Sequence, residues 1–560
     1  MNQSITINKT ALLALLALSA ILFFYFFATS SASADFWATN EKTGFDSDND
    51  ATADGEDTFT EVNTNGIDLF NDADVDAETG LNESNSNTGS GSTDSGSIGV
   101  LGGFANEFNL NVSEYSNSWW GESVGAENDT TGAESDNDAT AEFDSDLTVV
   151  NTNDALLDNE ADVDGNTGEN EANSNTGSGE VDSGNAASST VESNTANGNS
   201  VMSDGSVMNS LFSALARNKK TGFDSDNDAT TDVENDITVV NTNSAEFMND
   251  STTLLETGLN EANSNTGSGE VDSGHASGDA AIINDANANS VDIEVGGIGD
   301  NSMETENNTT GAESDNDATA ELDNEADIVN DNTALLDNDV DVDAGTGENE
   351  SNSNTGSGEV MSGNASSDAM IDNGSIFNHN STSLSFGSGI FSLSAGNSTT
   401  GFDSDNDATS SLDNDVTVVN DNDAEVTNDA EVTSETGLNE ANSNTGSGEV
   451  DTGNASGKAE ISNDLNVNET TIGWPKMGDL SAENHTTGAE SDNDATAEVD
   501  NDLVVVNTND SLITNTAVVD VGTGENEANS NTGSGSSETG NATAWFGIEN
   551  TGNGNFTLVE

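Results

Sequence analysis

The chain has 560 residues, of which 106 are Asp or Glu against 7 Lys or Arg, giving a formal net charge of −99, and it has no cysteine. Disulfides and thiolate metal sites are excluded. Nucleic acid is excluded as a partner because phosphate binding needs a basic footprint. Anionic membrane surfaces are disfavoured on the same ground, which leaves cations, cationic polymers and carbohydrate.

The first 34 residues differ from everything downstream. Lys9 precedes an apolar run from Ala11 to Phe27, and Ala32-Ser33-Ala34 offers a cleavage signature before Asp35. This predicts a secretory signal peptide over 1–34. The rival is an uncleaved anchor, with membrane contact through residues 11–27, a run at the short edge of a spanning helix. Every acid lies beyond residue 34, so both readings put the acidic bulk outside the membrane, at the cell surface or beyond it.

From there the chain repeats. The phrase TG-x-x-SDNDAT begins at Thr43, Thr131, Thr221, Thr310, Thr400 and Thr487, in steps of 88, 90, 89, 90 and 87 residues. A second phrase, TG-x-NE-x-NSNTGSG, follows 36 residues later in each copy, from Thr79 to Thr523. Odd copies read TGF and TGL, even copies TGA and TGE, so the six modules form three pairs. The corresponding divisions are 35–130, 131–220, 221–309, 310–399, 400–486 and 487–560. Self-similarity at a fixed period is the mark of a repeat architecture.

Asn and Ala recur at alternate positions, at Asn137 and Ala139, then Asn151, Asn153 and Ala155, then Asn170 and Ala172, and again at Asn493 and Ala495, Asn509, and Asn526 and Ala528. Period two means strand, with these side chains on one face. The fold class expected is all-β, a repetitive parallel β-solenoid with Asn ladders between coils. Thr-Gly and Ser-Gly steps supply corners with unusual backbone angles. One proline, Pro475, suits continuous strand stacking. Groups 16 and 17 residues apart, at Asn137, Asn153 and Asn170, suggest that each module holds several small coils, about 30 in all, making a stack on the order of 140 Å. Tandem β-sandwich domains and a largely disordered acidic stalk are the alternatives.

Variable segments between the phrases hold most aromatics, among them Trp119, Trp120, Phe212, Phe377, Phe386 and Trp474, together with Leu211. They serve either as contact patches or as core filling at module ends. Asn-x-Ser/Thr sequons at Asn128, Asn249, Asn307, Asn397, Asn484 and Asn509 are permissive for glycans. The acids of the repeated phrase are candidate Ca2+ ligands, because hard oxygens at alternate positions suit that ion. They are Asp46, Asp48 and Asp50; Glu134, Asp136 and Asp138; Asp224, Asp226 and Asp228; Glu313, Asp315 and Asp317; Asp403, Asp405 and Asp407; and Glu490, Asp492 and Asp494. The EF-hand pattern fails, since its sixth position is Ala51 or Ala139 and its twelfth is Ser145 in the second copy. A solvated acidic stripe is the other reading.

The three histidines, His275, His379 and His485, share no repeat position, and no catalytic motif stands out, so no enzyme is expected. The Asn-x-Ala alternations and Thr-Gly corners, over residues 43 to 545, resemble secreted low-complexity β-solenoid surface proteins of the curli-like and adhesin type. The Gln-bearing phrase of curli and the glycine-rich nonapeptides of calcium-binding toxin repeats are absent. The resemblance implies a cell-surface or matrix role. Taken with the export signal and the repeats, the expectation is an exported surface, matrix or filament component that self-associates or binds cell-surface components. The repulsion among its stacked acids calls for stabilisation by divalent cations or salt. An adhesin for carbohydrate, another surface or ice is the alternative.

Overall fold

The computed structural model describes residues 36–115, 122–204, 211–295, 302–386, 391–474 and 477–560. The N-terminal segment, Trp119, Trp120 and Pro475 lie outside them. In the first coil the strands are β1 (Phe36–Glu41), β2 (Ala51–Glu78), β3 (Asn82–Glu83), β4 (Gly91–Asp94) and β5 (Ile98–Tyr115). Each pairs in parallel with its equivalent one repeat later, and the five rows form five six-stranded sheets. The chain is an all-β parallel solenoid.

One coil takes a whole repeat of about 89 residues, because Ala51 pairs with Ala139 and Ala139 with Ala229. The expectation of coils of 16 or 17 residues is therefore corrected. Asn137 and Asn153 lie along one strand, Asp136–Asn166, and Asn170 follows at the next corner. Six coils span only about 24 Å between the first and last at the strand spacing, while a strand of 31 residues runs about 100 Å. The module divisions at 131, 221 and onward cut this continuous winding at one of its corners.

Each coil is a flattened loop of two layers. The chain runs out along β2 and returns along β5, so Asn65 faces Asn111 at 2.6 Å and Asn71 faces Asn106 at 3.2 Å. Strand β1 covers the start of β2, with Asn40 donating to the Asp50 carbonyl. Alternation along β2 equivalents is strict, buried then exposed for most of their length. Inward positions form apolar rows such as Leu147, Ile237, Ala326 and Val416. Phe377 and Phe386 are buried in this interior, and Trp474 stacks on Phe386 at 6.0 Å between centroids. These variable-segment aromatics are core filling rather than contact patches.

Between the apolar rows run paired Asn ladders. Asn332 donates to Asn422 in the next coil and to Asn380 in the opposite layer, and accepts from Asn243 and Asn289, all at 2.8–2.9 Å. A primary amide has two donors and two lone-pair sites, so this side chain is fully satisfied. A second pair of ladders joins Asn338, Asn373, Asn428 and Asn463 in the same way. Amides suit this role because stacking identical copies aligns donor with acceptor, whereas buried hydroxyls or charges do not repeat so cleanly.

The corners work differently from expectation. In the row of Gly168, Gly258 and Gly347, φ lies between +72° and +80°, and a Cβ would also strike the glycine carbonyl of the preceding coil. At the other Thr-Gly and Ser-Gly steps, such as Gly132, Gly177 and Gly184, the glycine is required by close approach alone. Left-handed angles fall instead on Ser174, Thr130 and Glu134 and their equivalents at corners, and on Asn197 within the strand Ala186–Asp204, each with φ between 56° and 65° in the second coil. Asn and Asp are among the residues that tolerate this region best.

Replacing Asn332 with Ala removes four hydrogen bonds and orphans two donors. Thermal or denaturant unfolding is expected to show a loss of roughly 3 kcal/mol or more, against a smaller loss for Asn509→Ala in the last coil, where water reaches the open face and can take over the bonds from Asn422 and Asn468.

Candidate functional surface

The SDNDAT phrase resolves into stacking roles. Ser135 Oγ donates to the Gly132 carbonyl at 2.8 Å and so closes the corner. Asn137 points inward and donates to Ser135 Oγ and to Asn227 in the next coil. Ala139 is buried in an apolar cluster that also holds Ala126 of the strand Glu122–Asp129. Asp136 and Asp138 point outward on either side of Asn137.

The eighteen candidate acids therefore form three rows rather than six loops. Asp46, Glu134, Asp224, Glu313, Asp403 and Glu490 sit at the left-handed corner residue. Asp48 pairs with Asp136, and Asp136, Asp226 and Asp315 continue that row, with Asp405 and Asp492 following by backbone bonds to Ser314 and Ser404. Asp138, Asp228, Asp317, Asp407 and Asp494 are in register with one another, next to Asp50 at the end. Among the described residues, no group of three or more His, Cys, Asp or Glu side chains is arranged to hold a metal ion.

What the rows do share is repulsion. Unit charges one strand spacing apart repel by about 0.9 kcal/mol even in water. Partial burial adds to this, so Asp138 and Asp317 are pushed up to about 6 and Asp228 to about 7, desolvation first and neighbouring aspartates second. Asp343 rises to about 6 in a second acidic region for the same reasons. Asp50 rises through its hydrogen bond and charge interaction with Asp48.

Cations answer little of this charge. Lys219 reaches Glu127 at 3.0 Å, Lys220 reaches Asp129 at 3.1 Å, and Arg217 bridges Glu304 and Glu306. All three lie in the third coil. Some carboxylates are instead held by amides, as Glu171 is by Asn85 and Glu261 by Asn173.

Two features were not found by reading the sequence. Glu192 sits inward in a row of Phe104, Ile282, Ile371, Ile461 and Ile548. It is fully buried, neither carboxyl oxygen has a hydrogen-bond partner, and burial together with Asp250 pushes it up to about 8. A row comparison, one acid among isoleucines, carries its signal once the register is known. Conversely, the sequons Asn128, Asn249, Asn307 and Asn397 are buried ladder members, so the folded chain offers no water-facing amide there for a glycan. Asn484 and Asn509 occupy the last coil.

Comparison with protein-family models, with curated proteins and with solved structures finds no match.

Two outcomes follow from these titrations. Groups whose folded pKa is raised stabilise fully below their unfolded pKa and lose that contribution as pH rises through the folded value. The melting temperature should therefore fall between pH 5 and pH 8 as Asp138, Asp228, Asp317, Asp343 and Glu192 ionise, and a flat profile would contradict the crowding. Glu192→Ile, which restores the row, should add about 1–3 kcal/mol at pH 8, read by denaturant unfolding, and should flatten part of that pH dependence.

Proposed function

We propose that the protein is an exported structural component of the cell surface, serving in a surface layer, matrix or filament, and that cations stabilise it. The observation that carries this reading is the uniformity of the molecule. Six coils present equivalent outward positions in register, several of them acidic or Thr rows throughout, and the interior is occupied by ladders and apolar packing. A repeated surface offers many equivalent weak contacts, which suits a load-bearing or space-filling role better than recognition of one small ligand. The N-terminal pattern of Lys9, the apolar run and Ala32-Ser33-Ala34 supports export.

The cation part rests on the acid rows. Divalent ions such as Ca2+, or a saline medium with a short Debye length, relieve repulsion along a row by spreading over it, with no dedicated loop required. The adhesin alternative needs a broad flat array of Thr or aromatic side chains. Among the described residues, Thr88, Thr176, Thr266, Thr355, Thr445 and Thr532 form an exposed row at a corner, and Thr52, Thr140, Thr230, Thr319, Thr409 and Thr496 form a second outward row on the long strand. Each is single file, and the second is the one beside which a broader array would have to grow. That second row is flanked by the Asp138 row and by the row of Asp54, Glu142, Asp232 and Glu321, which favours the structural reading.

Fractionation of cells making the native chain should find it with the surface material rather than in the cytosol. Thermal melting should rise with NaCl from about 0.01 M to 1 M, over which the Debye length shrinks roughly tenfold, and should drop when a chelator removes divalent ions at low salt. Melting indifferent to both would remove the cation part.

A further inference from the structure

Among the described residues, nothing covers either end of the stack. Val499, inward in the last coil, is 40% exposed, whereas its neighbour Leu412 in the coil beneath is 2% exposed. Open parallel edges of this length are templates for another chain, and three features specify which one.

The ladders have a direction. Asn Nδ2 donates to the Oδ1 of the following coil, at 2.8 Å from Asn49 to Asn137 and at 2.8 Å from Asn428 to Asn515. The last coil thus offers donors and the first coil acceptors. Two last coils face to face set donor against donor, and only last against first continues the ladders.

The parity of the repeats agrees. Phe45, Phe223 and Phe402 alternate with Ala133, Ala312 and Ala489, and the described coils run from an odd one to an even one. A last-on-first junction repeats the internal even-on-odd junction between Ala133 and Phe223.

Charge at such a junction is mixed, as it is between internal coils. Asp54, Glu56 and Asp76 belong to rows that the last coil continues with Glu498, Asp500 and Asp520. Two other rows are relieved: those of Asp72 and Asp74 continue in the last coil with Thr516 and Val518, so these first-coil acids meet neutral side chains there.

The third feature is steric. A Cβ on Gly132, Gly177 or Gly184 would strike the backbone of the preceding coil, but a Cβ on Gly44 or Gly89 meets nothing within 4 Å, and on Gly96 only Thr79 at 3.7 Å. None of these first-coil glycines has the left-handed φ that would demand glycine. Within one chain they are unnecessary. They become necessary when another last coil lies against them.

We propose that the partner of this surface is a second copy of the same chain, with the last coil of one seated on the first coil of the next in a head-to-tail filament. The proposal deepens the structural reading above and rests on it. Glu61 sets the strength of the junction. It occupies an inward row filled elsewhere by Val149, Val239, Ile328, Val418 and Val505, and is held by Asn63, Ser113 and Tyr115. Placed beside Val505 of another copy it brings a carboxylate into an apolar row, and so weakens a contact that is otherwise continuous.

The test is sedimentation velocity and electron microscopy of the protein recovered after export, in high salt, as the parent and as two variants. The parent should form filaments with an axial repeat of about 29 Å, six strand spacings. The triple variant Gly44→Ala, Gly89→Ala, Gly96→Ala should melt like the parent yet elongate at least about tenfold less. Glu61→Val should elongate more. Triple-variant filaments equal to the parent's, or only monomers in both the parent and Glu61→Val, overturn the proposal. Monomers in solution from a chain that still fractionates with the cell surface would overturn the junction and leave the structural role standing. Filaments from a chain absent from the surface fraction would support the junction and remove that role.

Discussion

The structure depends on one constraint, that every position is held against its own copies at the strand spacing of about 4.8 Å. Side chains differ in how they tolerate their own image. Asparagine is self-complementary, glycine permits carbonyl contact at the corners, and aliphatic residues gain burial. A carboxylate can only repel. Asn, Gly and small apolar residues therefore dominate the inward positions, while most Asp and Glu stand in outward rows or at an exposed corner, where water and ions reduce the cost; Glu61 and Glu192 are inward exceptions.

The alternation of odd and even modules has a physical reading under the same constraint. The outward row Asp68, Leu156, Glu246, Leu335, Glu425, Leu512 places an apolar residue between successive acids. Charges in that row stand two spacings apart, which halves the Coulomb repulsion of a continuous acid row. Phe45, Ala133 and Phe223 alternate in size at a corner in the same manner. The pair is thus the smallest unit in which each module relieves its neighbour.

Much of this was legible in the sequence. The repeat length, the inward alternation of Asn and Ala, and the parallel stacking all follow from patterns that a strand with period two must produce. Coil size was not legible, because Asn137, Asn153 and Asn170 recur at spacings equally compatible with three short coils or with one long strand and its corner. Deciding between them requires knowing where the chain turns, and apart from the Gly168 row the left-handed turn residues are Ser174, Thr130 and Glu134 and their equivalents, which glycine does not announce. The acids illustrate the same limit. Spacing along the chain suggested six ligand loops, while register across the coils makes three rows.

Coil size also governs how the chain can fold. Asn ladder bonds between neighbouring coils join residues 87 to 91 positions apart, as from Asn428 to Asn515 or from Asn287 to Asn378, so no rung between coils can close until a whole repeat and the start of the next are available. Loop closure over such distances costs entropy that grows only slowly with length, but it places almost every contact at long range, the topology associated with slow folding. The first rung is then the difficult event. Once two coils have met, each later coil docks on a finished template, and a chain emerging from its N-terminus would wind in the order in which it is delivered.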